Sequence, residues 1–386
     1  MRLIFTIFTF VMMLGIIGGA NYYIAKRIYQ CISFFLPNTR FYVYIIFFAV
    51  MTVIMILGFA NSFLPFNQTV KKILDTIGSI WMGVFVYLLI FVILADLVVL
   101  IMGLCKVISW PITPNVRIIS GLIVLLLTTV TVTYGMIHAR NIKHVSYNVS
   151  VSSELQQDIN LVLITDLHLG SLGSESRLDK IVEEINSLDP DIVCIAGDFF
   201  NTDFDSISNC EKAARTLRKI SSKYGVYVSL GNHDAGQTFE KMTDFLKECN
   251  ITALSDEYVV IDNLFTLVGR LDGSPIGGYS GQKRKELSQV LAGVDGSLPI
   301  IVMDHNPANI SQYSDDVDLI LSGHTHKGQI FPGSLITNAM YTVDYGYYRK
   351  DDNSPHVIVS SGIGTWGLPV RVGSNSEIVS VCIKIE

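Results

Sequence analysis

The sequence predicts an α/β domain built on a largely parallel sheet, preceded by a bundle of membrane-spanning helices. Three observations carry that prediction. Charge is split along the chain: residues 1–144 hold ten of the 28 Lys and Arg but only two of the 34 Asp and Glu, which leaves residues 145–386 acidic. Composition is apolar, at 50% hydrophobic and 16% charged, where soluble domains average roughly 25% charged. After His144, short apolar runs begin to alternate with amphipathic stretches, the pattern of strands linked by helices.

Four stretches before residue 145 reach the approximately 20 mostly apolar residues needed to cross hydrocarbon: Leu3–Ala25, Phe41–Ala60, Ile77–Leu104 and Ile118–Ile137. Basic residues fall between them, at Lys26, Arg27, Arg40, Lys71, Lys72, Lys106 and Arg117, and just after the last, at Arg140 and Lys143, as expected when charge is excluded from the bilayer. Leu3–Ala25 reads as an anchor rather than a cleaved leader, since Arg2 is the one basic residue ahead of it and three spans follow. Asp96 is the acid inside a span. It is either an ion-coupling carboxylate or, the reading favoured here, a group bonded to a neighbouring helix, because no span supplies a Lys or Arg. The basic residues divide evenly between the two faces, so the side of the C-terminal domain stays open. Lys26 and Arg27 behind the first span lean towards an extracytoplasmic N-terminus, and four spans would then place the C-terminal domain on that side as well.

The organisation expected is a multi-pass membrane domain over residues 1–144 and a separate domain over 145–386. An acidic second domain excludes non-specific nucleic-acid binding, which needs clustered positive charge. The six cysteines are scattered without a CxxC pair and are expected to be free thiols. Leu161–Thr165, Ile192–Ala196, Val226–Leu230, Pro299–Met303 and Leu319–Leu321 read as buried strands. Ser176–Leu188, Ser206–Lys223 and Thr238–Cys249 read as helices, and the last 60 residues as further strands.

Polar residues able to bind metal cluster behind those strands. In order they are Asp166-Leu167-His168, Gly197-Asp198, Gly231-Asn232-His233-Asp234, His305 and Gly323-His324-Thr325-His326. Loops after the carboxyl ends of strands converge on one crevice in an open α/β sheet, so five groups distant in sequence are expected to meet at one edge. In a D-x-H or H-x-H pair on extended chain both side chains point the same way. Imidazole and carboxylate together suit zinc, iron or manganese, and a carboxylate such as Asp198 can bridge two cations. Alone, each element is common; the ordered set of five is not.

The run DLH…GD…GNHD…H…GHTH, over Asn160 to about Ile330, resembles the signature of the calcineurin-like metallophosphoesterase superfamily. The tail SSGIGTWGLPVR (Ser360–Arg371) is similar to a subset with membrane or exported members. The resemblance implies a four-layer αββα sandwich with two mixed sheets and a dinuclear metal site. Carried onto matching positions, it implies one metal ion held by Asp166, His168, Asp198 and His326, and a second held by Asp198, Asn232, His305 and His324. It further implies that His233 stands over the phosphate as general acid, oriented by Asp234. The activity implied is hydrolysis of a phosphomonoester or phosphodiester, with a phosphorylated small molecule or a lipid-linked phosphate as substrate.

Four further residues stand out. Lys327 occupies a position where near relatives often have Gly, and either meets an anionic substrate or lies solvated in a loop. Asp304 either braces His305 or, as strand alternation favours, points away. Arg270 and Arg371 either clamp a phosphate or pair at the surface. Two other functions are weighed against hydrolysis. A silent receptor or scaffold is disfavoured because every ligand position is filled. A transporter is disfavoured because the spans lack a Gly/Pro-broken helix pair.

Overall fold

The computed structural model describes residues 2–60, 64–151, 157–314 and 316–385. It divides into two compact units, Met1–Tyr134 and Gly135–Glu386.

The first unit holds helices α1 (Arg2–Ile32), α2 (Phe41–Phe59) and α3 (Gln68–Leu104), and most of α4 (Pro114–His138). Three of them, α2, α3 and α4, are long and apolar enough to cross a membrane. The first expected span lies within α1, where the side chains of residues 3–7 and 10 fall outside those described. Asn67 starts α3 by accepting the Val70 N–H at 2.9 Å, which satisfies one of the helix's orphan donors. Helix α1 continues past Ala25, because Lys26 and Arg27 are good helix formers. That continuation supplies Asp96 with a basic partner which the spans, taken alone, lack: Arg27 pairs with one carboxylate oxygen, and Tyr23 Oη donates to the other at 2.5 Å. Asp96 is therefore bonded to a neighbouring helix.

In the second unit the order is β1 (Ile142–Val151), β2 (Ile159–Ile164), α5 (Leu178–Ser187), β3 (Ile192–Ala196), α6 (Cys210–Leu217), β4 (Val226–Ser229), α7 (Phe239–Glu248), β5 (Ile251–Leu254), β6 (Glu257–Ile261), β7 (Phe265–Gly269), α8 (Leu287–Val290), β8 (Ile300–Met303), β9 (Leu319–Ser322), α9 (Gly333–Met340), β10 (Gly346–Tyr348), β11 (His356–Val359) and β12 (Ser376–Ile385). The expected boundary at residue 144 falls inside β1. The expected helix 206–223 contracts to α6 because Asn209, not Ser206, caps it, accepting the Lys212 N–H at 2.9 Å. Ser206 belongs instead to a short turn, Phe204–Ser206, begun by Asp203. All six cysteines are free.

Two six-stranded mixed sheets result, ordered β1-β12-β2-β3-β4-β5 and β10-β11-β9-β8-β7-β6. Alternation along the strands sorts side chains between layers. In β3, Ile192, Cys194 and Ala196 face the core between the sheets, while Val193 and Ile195 face α5, α6 and α7. In β8, Ile301 and Met303 join the central core, and Ile300 and Val302 pack outward with Val290 of α8, Tyr313 and Val317. Strands β3 and β8 are apolar on both faces because both of their faces are covered. Helices, sheet, sheet and helix with loops form four layers.

One buried ion pair braces the second sheet. Arg270, just past β7, is 1% exposed and donates through Nε to Asp256 Oδ1 at 2.7 Å and through a terminal nitrogen to the Lys285 carbonyl at 2.7 Å. It is thus neither a surface pair nor a phosphate clamp. Removing one partner of such a pair strands the other charge, at about 3–5 kcal/mol. Asp256→Asn is therefore expected to lower the melting temperature of the full chain, measured by differential scanning fluorimetry, with metal content unchanged.

Candidate metal centre

The ligand-bearing loops follow parallel strands, but from both sheets. Asp166 and His168 follow β2, Asp198 follows β3, and Asn232 and His233 follow β4; His305 follows β8, and His324 and His326 follow β9. The expectation of one sheet edge is thus corrected: the residues meet across the seam between two sheets. The expectation of extended D-x-H and H-x-H pairs also fails. Asp166, His168, Asp198, His324 and His326 all have left-handed backbone, with φ of 54°, 48°, 52°, 70° and 49°. Such conformations are uncommon outside glycine and cluster where a site over-determines them. Here backbone bonds hold them: the Asp166 N–H donates to the Gly197 carbonyl and the His168 N–H to the Asp198 carbonyl, each at 3.0 Å. Close approach explains one glycine, since a Cβ on Gly231 would strike the Asp198 carboxylate.

Two groups of ligand atoms result, Asp166 with His168 and His326, and Asp198 with His305 and His324; within each group the atoms lie within 4.8 Å of one another. In the first, His326 Nε2 is 3.3 Å from Asp166 Oδ1 and 3.2 Å from His168 Nε2. In the second, His305 Nε2 is 3.1 Å from Asp198 Oδ2 and 3.3 Å from His324 Nδ1. Asn232 Oδ1 lies 3.0 Å from the same His324 nitrogen. The two groups adjoin at Asp198, whose Oδ2 is also 3.8 Å from His168 Nε2. All seven sequence-selected ligand positions are thereby brought together.

Protonation favours cation binding. Burial pushes His168 down to about 3 and, with the adjacent His305, pushes His324 down to about 4. Burial and the Arg371 guanidinium push His326 the same way. These three imidazoles are neutral at pH 7 and offer lone pairs. His305 differs. Burial lowers its pKa, but the Asp198 carboxylate overcomes that and holds it well above the usual histidine range; Asp198 is correspondingly low despite its burial. Two carboxylates, four imidazoles and an amide oxygen, nearly all buried, form a donor set suited to zinc, manganese or iron, so the residues fit a pair of metal ions.

His233 lies beside this set, its ring centroid 5.1 Å from that of His168. Its partner is not the expected one. Asp234 accepts the Phe200 N–H and the Gly231 N–H, both at 2.8 Å, and so fastens the Asn232 loop to the loop after β3. Burial and the nearby Asp198 charge raise its pKa to about 7. The His233 ring is instead held by Thr202, whose Oγ1 is 2.5 Å from Nδ1, while the His233 N–H donates to Asp198 Oδ1 at 2.9 Å. Consecutive side chains in this turn diverge, so adjacency in sequence does not become a pair. Nothing in the sequence marks Thr202, a loop residue among many.

Asp304 points away from His305, to Arg284 at 2.6 Å and Tyr313 Oη at 2.6 Å. His305 Nδ1 is met by the Ala196 carbonyl at 2.9 Å. Lys327 places its ammonium 4.0 Å from the centroid of the Tyr345 ring. Arg371 is fully buried. It donates to the carbonyls of Ser361 at 2.7 Å, Gly362 at 3.1 Å and Gly364 at 2.6 Å, and meets His326 Nδ1 at 3.3 Å. It therefore clamps the tail segment behind His326 rather than a phosphate. Trp366 and Tyr341 flank the site, with ring centroids 6.1 Å from His233 and 6.3 Å from His324.

Comparison with known proteins agrees with this geometry. Residues 159–328 match the calcineurin-like phosphoesterase family. An uncharacterized metallophosphoesterase of Campylobacter jejuni is 31% identical over 393 residues, covering 99% of both chains. One from Helicobacter pylori is 35% identical over 231 residues, 58% of this chain and 60% of that protein, so the chain spans little more than half of that relative. A transmembrane protein with metallophosphoesterase domain from Danio rerio is 30% identical over 67% of this chain and 62% of its own length. A full-length relative of this kind, the domain match and two clusters of side chains able to hold metal at the ends of paired sheets together establish that the chain belongs to the calcineurin-like metallophosphoesterase superfamily.

Proposed function

We propose that this chain is a membrane-anchored phosphohydrolase that uses two metal ions to cleave a phosphomonoester or phosphodiester. The observation that carries the reading is the position of Asp198, whose one carboxylate faces His305 at 3.1 Å and His168 at 3.8 Å, where a ligand common to two cations would stand. Asp166, His168, Asp198 and His326 would hold one ion, and Asp198, Asn232, His305 and His324 the other. Such ions, once bound, supply Lewis acidity towards phosphoryl oxygens and make water acidic enough to attack at neutral pH.

The protein's own groups do the rest. Burial of the donor set keeps bulk water away and strengthens charge interactions. Thr202 holds His233 at Nδ1, which leaves Nε2 to meet the leaving oxygen and give it a proton. Asp234 keeps the loop carrying Asn232 and His233 in place through its two backbone bonds.

Helices α2, α3 and α4 would anchor the enzyme. An active site tethered to a bilayer favours a lipid-linked phosphate over a freely diffusing substrate. The test is to strip the purified full chain with a chelator and assay p-nitrophenyl phosphate, bis(p-nitrophenyl) phosphate, phosphatidic acid and phosphatidylglycerol before and after adding manganese, zinc or iron. Loss on stripping and return with metal is expected. No turnover with any metal between pH 5 and 9 would reject the hydrolase and favour a silent scaffold.

A further inference from the structure

Helix α9, eight residues long, has no buried residue. Its apolar side chains Leu335, Ile336 and Met340 are 62%, 61% and 70% exposed. On a helical wheel these three fall within about 140° of one another, so they form one face. The opposite side is occupied: Thr337 Oγ1 donates to Asp344 Oδ2 at 2.7 Å. From Gly328 to Val343 the sequence contains no charged residue. A short helix that turns its apolar face outward, on an uncharged segment, does not draw its stability from this domain's core.

Two sets of contacts fix where α9 lies within the second unit. Towards the site, α9 is joined to the turn bearing His324 and His326. Thr325 Oγ1 donates to the Asp344 carbonyl at 2.6 Å, so the turn and α9 share Asp344. Gly328, two residues past His326, lies so close to Gly333 and Ser334 that a Cβ there would collide with their backbone. In the other direction, the Phe331 N–H donates to the Val372 carbonyl at 2.7 Å. The same segment is fastened to the last turn of α4: the Arg371 N–H donates to the Gly135 carbonyl at 3.1 Å, His138 Nε2 and Asn375 Oδ1 are 3.1 Å apart, and Ser376 Oγ donates to the Ala139 carbonyl at 2.7 Å. Helix α4 is one of the three apolar enough to cross a membrane. Read as a span, α4 leaves the bilayer at its last turn, and α9 is tied by backbone bonds to the segment that is hydrogen-bonded to that turn.

We propose that α9 lies in the surface of the bilayer, with Leu335, Ile336 and Met340 among the lipid chains, and that it holds the mouth of the metal site against the membrane. The occupant of the apolar face is the phospholipid of the chain's own membrane. Short helices with one apolar face bind at such interfaces in proportion to the apolar area they bury. The placement rests on the reading of α4 as a span. It extends the hydrolase reading by giving lipid-linked phosphates a direct route to the metals, past Tyr341 at the end of α9.

The test uses the full chain carrying Ile336→p-benzoylphenylalanine, reconstituted in vesicles of phosphatidylethanolamine and phosphatidylglycerol and irradiated. A second sample carries the same photoprobe at Val130 of α4, which is 55% exposed, as a positive control. Covalent attachment of phospholipid mass at position 336, as at position 130, is expected. Covalent dimers at 336 would mean that a second copy covers this face and would overturn the proposal. Labelling at 130 with none at 336 would mean that water covers it and would equally overturn it. This readout does not depend on turnover, so it stands or falls separately from the hydrolase reading. A second measurement links the two: in Leu335→Ser/Ile336→Ser/Met340→Ser, the ratio of phosphatidic acid to p-nitrophenyl phosphate turnover is expected to fall at least tenfold. An unchanged ratio would remove α9 from substrate access.

Discussion

Asp198→Asn is expected to lower kcat/KM at least about 100-fold and to reduce the metal content of the purified protein. Losing even an outer partner of a metal ligand costs roughly 10–100-fold in affinity or activity, and Asp198 faces both groups of donors directly. The amide keeps one oxygen to accept the His233 N–H, a bond of 2.9 Å in the parent chain, so the fold should survive. What disappears is the negative charge that binds the cations and pairs with His305. Elemental analysis beside steady-state kinetics reads both effects. Full turnover with undiminished metal would remove Asp198 from the centre.

His233→Ala is expected to lower turnover by about 10²–10⁴-fold, the usual contribution of a general acid, while metal content stays at the parental value. The loss should depend on the leaving group. An alkoxide needs a proton as it departs and p-nitrophenolate scarcely does, so an alkyl phosphate should suffer far more than p-nitrophenyl phosphate. Thr202→Val, which removes the partner of Nδ1, should reproduce that dependence at smaller amplitude. Equal losses on both substrates would assign His233 to binding instead of proton transfer.

The candidate ligand positions that the structure brings together were legible in the sequence because each is a polar residue close behind an apolar strand, a position with few structural uses. The strand Ile192–Ala196 was legible to the residue because it is buried on both faces. What escaped notice depended on tertiary contacts between ordinary residues. Thr202 is unremarkable until β3 and β4 bring it to His233. Strand β1, with its mixed burial, looks like a polar linker until β12 pairs with it. The Arg27–Asp96 pair was hidden because the first helix outlasts its apolar stretch. The His233–Asp234 pairing was misjudged for a related reason: neighbours in a tight turn point apart, and Asp234 finds backbone donors on another loop.

Strand β12 sits between β1 and β2, parallel to the first and antiparallel to the second, with Val381 opposite both Tyr147 and Leu161. A ribosome makes β1 and β2 early and β12 more than 200 residues later. Until residue 385 emerges, the nascent domain therefore has two unpaired strand edges, and its first sheet lacks an interior strand. Non-local pairing of this kind is slow and leaves intermediates prone to aggregate. The second unit can therefore complete its first sheet only once β12 has been made, with the helices of the first unit already synthesised.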